Sequence, residues 1–262
     1  PVLRDAGIPA ITLSARSMPL MATALKEGWP LFRMAPNDQD ETDAIVDFIM
    51  GEWIDQPVAL LDDGTIYFRE MVNAVRNALE ERGLQPVLVD TFRPAQEQQL
   101  SLVRRLAQAG ATHVFIGGTR GDVAIVARDA IQQGVDLTIL GAEALSARET
   151  DVPLEPGVMA IGIPEYGELP PAADLADLAE SQGIIPEGYV VPAASAVELA
   201  AQAMAAADGD AARLASMLAA GQFDTAFGPV SFTDRHELAD NPYFLLRWQG
   251  NQFVPVFDSA RQ

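Results

Sequence analysis

Apolar and polar positions alternate along the middle of the chain in a regular pattern of short strands and amphipathic helices. Short runs rich in apolar residues predict strands at residues 57–61, 86–92, 112–116 and 137–140, and the first, third and fourth end in a turn signal. Helical spacing between them predicts helices at residues 67–82, 95–109 and 122–133. Because such apolar strands are buried on both faces, this βαβ series predicts a parallel sheet with helices on each side.

The flanking regions add further elements. Residues 10–13 and 157–163 are typical of strands, and residues 40–53, 170–182, 188–207 and 210–220 of helices. The helix at 188–207 is apolar on every face, which predicts that it is buried all round. At the end, residues 243–248 and 252–257 flank Gln249-Gly250-Asn251, which predicts a hairpin.

Ligands of open α/β sheets bind at the carboxyl ends of the strands, so the loops that follow the predicted strands are where binding residues are expected. Those loops lie at residues 14–17, 62–67, 117–122 and 141–145.

Composition narrows the function classes. A net charge of −20 argues against nucleic acid and anionic membrane surfaces as partners. The absence of cysteine excludes disulfides and cysteine metal sites. No apolar run reaches the roughly 18 residues of a membrane span, so no membrane insertion is expected. The chain begins Pro-Val-Leu-Arg without a charged and apolar leader, so we expect a processed or shortened chain whose signal peptide has been removed.

Motifs for catalysis are lacking. No P-loop, no dinucleotide-binding GxGxxG and no GxSxG elbow occur. The two histidines, His113 and His236, lie far apart: the first is expected to pack within a strand and the second to be solvated in a turn. Asp62-Asp63 is typical of a turn that caps the next helix, and a cation site is the alternative. An enzyme therefore has little support, and neither a cofactor nor a metal is expected.

Residues 223–238, Phe-Asp-Thr-Ala-Phe-Gly-Pro-Val-Ser-Phe-Thr-Asp-Arg-His-Glu-Leu, resemble the closing signature of the substrate-binding proteins of branched-chain amino acid ABC transporters. In that family a "fdt..Gp.sFd..Gdl" segment crosses between two lobes before a last hairpin. The resemblance implies a type I periplasmic-binding-protein fold, in which hinge strands join two doubly wound parallel-sheet lobes. It covers nearly all of the chain in order.

The loop after the first predicted strand resembles the family's carboxylate-binding segment "gip.isp.aT.p.L". The resemblance implies that the amides of Ser14 and Ala15 hold a ligand carboxylate. Arg16 stands where the family has threonine. It is expected either to clamp the carboxylate in a bidentate manner or to point to solvent.

The other loops resemble the family's second binding wall. Tyr67 keeps a tyrosine that faces the ligand in the family, while Thr119 replaces an aromatic residue. Arg120 follows in the same loop and is included among the ligand-binding candidates. Glu143 matches the glutamate that pairs with the ligand ammonium in amino acid binders, and Tyr189 matches an aromatic position near the cleft.

The resemblance opens about a third of the way into the family's usual length, which implies that lobe one is incomplete. Lobe one is expected at residues 1–38 and 164–239, and lobe two at 39–163 and 240–262. Two alternatives would explain this: the chain is a truncation, or a partner or second copy covers the open apolar face.

The implied function is periplasmic capture of a small amino acid or related carboxylate between two lobes, for delivery to an ABC permease. Three alternatives stay open: a ligand-sensing receptor or regulator domain of this fold, a binder of carboxylates without an ammonium, such as aromatic acids, and an enzyme on a doubly wound fold.

Overall fold

The computed structural model describes residues 2–147 and 152–256, and the chain divides into two compact units. Unit 1 comprises Pro1–Asp40 and Pro164–Pro242, and unit 2 comprises Glu41–Ile163 and Tyr243–Gln262. The chain therefore passes from one unit to the other after residues 40, 163 and 242. The sequence predicts these boundaries after residues 38, 163 and 239.

The elements follow in chain order. The helices are α1 Val2–Asp5, α2 Met18–Lys26, α3 Asp38–Glu52, α4 Ile66–Glu81, α5 Leu100–Gln108, α6 Arg120–Gln132, α7 Ala173–Ser181, α8 Val190–Ala206 and α9 Ala211–Ala220. The strands are β1 Ala10–Thr12, β2 Leu31–Arg33, β3 Val58–Asp62, β4 Leu88–Thr91, β5 His113–Gly117, β6 Thr138–Gly141, β7 Met159–Gly162, β8 Gln222–Thr225, β9 Gly228–Ser231, β10 Phe244–Gln249 and β11 Gln252–Pro255. Short 3-10 helices lie at Glu143–Ser146, Tyr166–Glu168 and Pro170–Ala172.

Unit 2 is built on a seven-stranded sheet in the order β11-β10-β7-β6-β5-β3-β4. Strands β4, β3, β5, β6 and β7 are parallel, and the antiparallel pair β10 and β11 extends one edge. Along β3, Ala59 and Leu61 join the core cluster that includes α5 and α6, while Val58 and Leu60 join the cluster that includes α3 and α4. The predicted α/β fold class with a parallel, doubly covered sheet is thus confirmed.

Unit 1 contains smaller sheets. Strand β1 pairs with β2 in parallel, and β8 pairs with β9 antiparallel. A core cluster around Phe32, Leu199 and Phe223 packs β2, α8 and the β8–β9 hairpin together. The backbone N–H of Arg33, the last residue of β2, donates to the carbonyl of His236 at 2.9 Å, which ties the end of β2 to the turn at residues 233–237.

Helix α5 starts later than the sequence predicts, at Leu100 and not at residue 95. Residues before it turn instead: Ala95 has φ 55°, and the carboxylates of Asp122 and Asp129 accept the N–H groups of Ala95 and Gln99. These two acids belong to α6. Because they satisfy backbone donors outside a helix, they override the helical pattern of the segment.

The prediction that α8 is buried on every face is wrong. Its fully buried positions follow helical spacing on one face, at Val191, Ser195, Leu199 and Ala203, whereas Val197 is 69% exposed. The reason is composition: alanine lowers the polarity of all faces without requiring burial.

No single helix among the described residues has the length and apolar character of a membrane span. Helices α8 and α9 meet that test only as a pair, with a bend of 113° between them.

The final hairpin forms as predicted, with Gln249 opposite Gln252 and positive φ at both Gly250 and Asn251. The end of the predicted second strand, at residue 257, lies outside the described residues. The segment at 223–238, expected to cross between lobes, lies wholly in unit 1, and the chain enters unit 2 only at Tyr243. The physical reason is its pairing: β8 and β9 close a hairpin on unit 1's own core.

Candidate functional site

The loop between β1 and α2 carries the predicted carboxylate-binding residues of unit 1. Ser14 is exposed, and Ala15 and Arg16 are partly buried. The amide of Ala15 donates to Thr12 Oγ1 at 3.3 Å. Helix α2 follows with Ser17 at its N-cap, and the Ser17 side chain makes no capping hydrogen bond. Backbone donors at the start of this helix are therefore not satisfied by their own cap.

A buried arginine lies beneath this loop. The Arg33 side chain is fully buried, and its Nε and Nη2 atoms donate to the two carboxylate oxygens of Glu237, each at 2.6 Å. Its Nη1 donates to the carbonyls of Ala15 at 3.2 Å and Ser17 at 3.0 Å. Strand β2 thus links the loop to the closing segment through one guanidinium group. Sequence reasoning did not single out Arg33 or Glu237 as site residues.

The closing segment is anchored to α8. The hairpin turn between β8 and β9 donates two backbone amides to this helix: Phe227 to Ser195 Oγ at 2.8 Å and Ala226 to Glu198 Oε2 at 2.9 Å. Ser195 is thus a buried acceptor for the hairpin turn. Tyr189, the aromatic candidate before this helix, is 58% exposed.

Glu143 is the centre of a polar cluster in unit 2. It lies just after β6, at the carboxyl end of the parallel strands, and Tyr243 donates its hydroxyl to Glu143 Oε2 at 2.9 Å. The Glu143 amide donates to Glu41 Oε1 at 2.7 Å, and Tyr67 donates its hydroxyl to Glu41 Oε2 at 3.3 Å. Glu41 is only 1% exposed. Of the predicted residues, Tyr67 and Glu143 are thus brought together, through Glu41.

Sequence reasoning missed Glu41 and Tyr243. Glu41 stands in an acidic run at the start of α3, where nothing distinguishes one carboxylate from the next. Tyr243 was predicted to be the first residue of the final hairpin's strand, and an aromatic residue there is typical of packing. Neither position gives a local signal of its polar contact with residue 143.

The side chains of Thr119 and Arg120 make contacts within unit 2, with the start of α6 and with the core. Thr119 caps α6: its hydroxyl donates to Asp122 Oδ2 at 2.7 Å and accepts the Asp122 amide at 3.3 Å. Arg120 turns into the core, with its guanidinium 4.3 Å from the centre of the Trp248 ring and Nη1 donating to the carbonyl of Ala147 at 2.9 Å. These contacts favour a capping role for the first residue and a packing role for the second.

The acids at the end of β3, Asp62 and Asp63, form a turn. Asp62 Oδ1 accepts the amide of Gly64, and Asp63 Oδ1 accepts the amide and the hydroxyl of Thr65, the N-cap of α4. Within residues 2–147 and 152–256, no group of three or more histidine or acidic side chains is arranged to hold a metal ion. The contacts support the interpretation of these two acids as part of the turn before α4, whose cap is the Thr65 hydroxyl that accepts the amide of Phe68.

Both histidines have packing contacts. His113, in β5, meets Trp53 edge to face with ring centres 4.8 Å apart, and desolvation lowers its pKa below the ordinary value of 6.5. His236 stacks on Phe32 with ring centres 4.3 Å apart, and its Nδ1 lies 3.1 Å from the carbonyl oxygen of Leu31. The expectation of a solvated His236 is wrong, because its positive φ of 59° turns the ring onto β2.

Asp40 ends the unit 1 part of α3. Burial raises the pKa of its carboxyl above the ordinary value of 3.8; the hydrogen bond from the Asn37 amide lowers it and repulsion from Glu237 raises it further. Asn37 and Asp40 exchange hydrogen bonds at 2.9 and 3.0 Å, which is a capping box at the start of α3. The polar groups that surround residue 40 thus include the carboxylate that pairs with Arg33.

Comparison with known proteins identifies similar sequences over nearly the whole chain. The sequence profile of a family described as periplasmic binding protein matches residues 1–252. The Leu/Ile/Val-binding protein homolog 3 of Brucella melitensis is 24% identical over 97% of this chain and 70% of that protein. The chain thus spans about 70% of this relative's length.

Solved structures share the fold. An ABC transporter substrate-binding protein from Desulfitobacterium hafniense, in complex with Leu, superimposes with a TM-score of 0.68 at 17% identity, over 97% of this chain and 75% of that one. A solute-binding protein of an ABC transporter from R. palustris, in complex with benzoate, gives 0.64 at 18% identity, over 97% and 72%. At these identities the likeness extends to the fold alone.

Proposed function

The chain belongs to the periplasmic binding protein family, and we propose that it captures a small amino acid or a related carboxylate outside the cytoplasm for an ABC-type importer. Members of this family are solute-binding proteins, not enzymes. The observation that carries the proposal is the arrangement of Glu143, whose carboxylate lies after a parallel strand and is oriented by the hydroxyl of Tyr243.

The ammonium side of the ligand is assigned to unit 2. A carboxylate at the carboxyl end of a parallel strand is where ligands of this fold class bind. One oxygen of Glu143 accepts from Tyr243, while its own amide is held by Glu41, so both the side chain and the backbone have a fixed direction. A positioned carboxylate binds an ammonium group by charge-assisted hydrogen bonds. Tyr67, bonded to the same Glu41, is proposed to line the wall beside it.

The carboxylate side is assigned to the β1–α2 loop of unit 1. Arg16 and the amides of Ser14 and Ala15 are the proposed donors. The Ala15 amide donates to Thr12 Oγ1, so its use by a ligand requires that this bond be shared or exchanged. Thr119 and Tyr189 are proposed as outer wall positions, whereas the contacts of Arg120 with Trp248 leave it a supporting role.

A second candidate function is the binding of a carboxylate without an ammonium group. The complex of a similarly folded solute-binding protein with benzoate favours it. In that case Glu143 would serve Tyr243 and the turn after β6, not the ligand. A receptor or regulator that senses the same ligand class would have the same binding residues and no permease partner.

Binding measurements on the full chain distinguish an amino acid binder from a binder of carboxylates without an ammonium group. We expect calorimetry to detect leucine binding, and Glu143→Gln to weaken it by roughly tenfold or more because a charge-assisted hydrogen bond to the ammonium is lost. The matched ligand 4-methylpentanoate, which is leucine without the ammonium group, should bind the wild type and Glu143→Gln with equal affinity. Glu187→Gln, at an exposed position, is the control.

Each result decides one part. Equal leucine affinity in the wild type and in Glu143→Gln would overturn the ammonium role. Benzoate binding without leucine binding would favour the second candidate. If native mass spectrometry finds no small carboxylate bound and calorimetry finds none binding, the proposed capture function is wrong for this chain.

A further inference from the structure

All five N–H donors of one buried arginine have acceptors. The Arg33 guanidinium gives Nε and one Nη2 hydrogen to Glu237 and two Nη1 hydrogens to the carbonyls of Ala15 and Ser17. With its remaining hydrogen, Nη2 donates to Met18 Sδ, which lies 3.6 Å from the nitrogen. An arginine side chain carries five donors in a rigid fork. Each of them is therefore used, and three of the acceptors lie in or beside the β1–α2 loop.

The turn that presents Glu237 is built to face this guanidinium. Thr233 accepts the amide of His236 and donates its own amide to the carbonyl of Glu237, at 2.9 and 2.8 Å. The positive φ of His236 reverses the chain between these residues. The carbonyl of His236 then accepts the backbone N–H of Arg33. Backbone and side chain of residue 33 thus hold the same turn.

The desolvation cost of burying Arg33 and Glu237 indicates that this ion pair does more than stabilise the fold. Burying two charges removes them from water, and a well-packed apolar pair is often as stable as a buried ion pair. The Arg33 side chain has no exposed surface and the Glu237 side chain has 11%. An apolar pair, however, cannot donate hydrogen bonds to the carbonyls of a neighbouring loop, as Arg33 does.

The two carbonyl contacts fix the direction of two peptide groups. In a trans peptide the carbonyl points opposite to the N–H of the following residue. Because the carbonyls of Ala15 and Ser17 point to the buried guanidinium, the N–H groups of Arg16 and Met18 point away from it. Met18 is the first residue of α2. Both donors belong to the loop assigned above to the ligand carboxylate.

We propose that Arg33 and Glu237 are positioning residues for carboxylate recognition: they hold the β1–α2 loop so that the amides of Arg16 and Met18 face the ligand, in addition to the donors proposed above. The inference rests on the proposed function for its ligand, but the loop geometry is tested without one. Glu237, supplied by the closing segment, acts only through Arg33. Neither residue contacts the ligand in this proposal.

The test uses Arg33→Lys, which keeps the charge but lacks the planar fork and has three donors. We expect the Kd for leucine to rise by about tenfold, the size of one lost charge-assisted hydrogen bond. Leucinamide has a neutral amide in place of the carboxylate, so its affinity should fall much less. The ratio of leucine affinity to leucinamide affinity should therefore be lower in the variant than in the wild type. Hydrogen exchange of the peptide over residues 13–20 should become faster in the absence of ligand. Arg105→Lys, in the exposed Arg105–Asp90 pair of unit 2, is the control for both measurements.

Glu237→Gln provides a second variant of the same size and shape, in case Arg33→Lys does not fold. It should give the same fall in the leucine-to-leucinamide ratio. A purely structural role predicts a lower melting temperature with an unchanged ratio and unchanged exchange at residues 13–20, and this result would overturn the inference. If the wild type binds no carboxylate, the proposed function fails, while faster exchange in the variants still supports the positioning of the loop.

Discussion

The loops of unit 2 and the loop of unit 1 are held in place by different means. In unit 2, the turns after β3 and β5 are closed by side chains within a few residues: Asp63 binds Thr65, and Thr119 binds Asp122. In unit 1, the β1–α2 loop is held by Arg33, whose partner Glu237 lies 204 residues further along the chain. Local capping organises one set of loops, and a long-range ion pair organises the other.

This difference follows from the sheets. Unit 2 has five adjacent parallel strands between two apolar clusters, so the strand ends alone define where the loops begin. In unit 1 the described strands β1 and β2 form a pair of three-residue strands. With so short a ladder, few backbone hydrogen bonds fix the loop that follows, and side-chain contacts to carbonyls take a larger share. We therefore expect mutations of polar groups to have larger effects in unit 1.

The largest effect should come from breaking the buried pair. Glu237→Ala leaves the Arg33 guanidinium buried without a counter-charge, and we expect it to lower the free energy of unfolding of unit 1 by about 3–5 kcal/mol. Because two units need not unfold together, urea unfolding should be followed by hydrogen exchange in each unit separately. The comparison variant is Asp90→Ala, which breaks the exposed pair with Arg105 in unit 2 and should cost at most about 1 kcal/mol.

Equal losses from the two variants would contradict the comparison, since they would show that burial adds nothing to the unit 1 pair. A loss in unit 2 from Glu237→Ala would show instead that the effect is not confined to the unit that contains the pair.

The fold of unit 2 was predictable from the sequence because its signals are local. Apolar strands, amphipathic helices and turn residues alternate between residues 58 and 142, and each signal lies within the element it defines. Where the prediction was wrong, a distant group intervened. The start of α5 moved because Asp122 and Asp129 of the next helix bind the backbone before it.

The site was predictable only in part, for the same reason. Resemblance selected Glu143, but its partners Tyr243 and Glu41 lie 100 and 102 residues away, and no periodicity indicates such contacts. Arg33 and Glu237 each fell within a recognised segment, yet their pairing is a tertiary contact. Thr119 was identified as a pocket-wall candidate, whereas its hydroxyl is used within its own turn.

The next effect in size concerns this local capping. Thr119→Ala removes the hydroxyl that bonds Asp122 at the start of α6, and we expect a loss of about 1 kcal/mol in the stability of unit 2. Ser17→Ala is the matched variant in unit 1, where the N-cap side chain of α2 makes no capping bond, and it should be nearly neutral. Thr119→Ser should retain the cap. If Thr119→Ala is neutral in urea but weakens ligand binding, the residue serves the ligand and not the helix.

The smallest effect is a response to acid that differs in sign between the units. The folded pKa of Asp40 lies above 3.8, so the folded state binds more protons between those two values; stability falls as pH rises through this window and stays lower at neutral pH. The folded pKa of His113 lies below 6.5, so the unfolded state binds more protons between the folded pKa and 6.5, and stability rises with pH up to 6.5.

Asp40→Asn should therefore stabilise unit 1 at pH 7 and lose this advantage below pH 3.8, because an amide oxygen still accepts from Asn37 and no charge is desolvated. His113→Gln should flatten the pH dependence of unit 2 below pH 6.5. Urea midpoints across this pH range, with the exposed Asp55→Asn as control, measure both. A stabilisation by Asp40→Asn that persists at the lowest pH would trace it to packing, because protonated aspartic acid and asparagine carry the same charge.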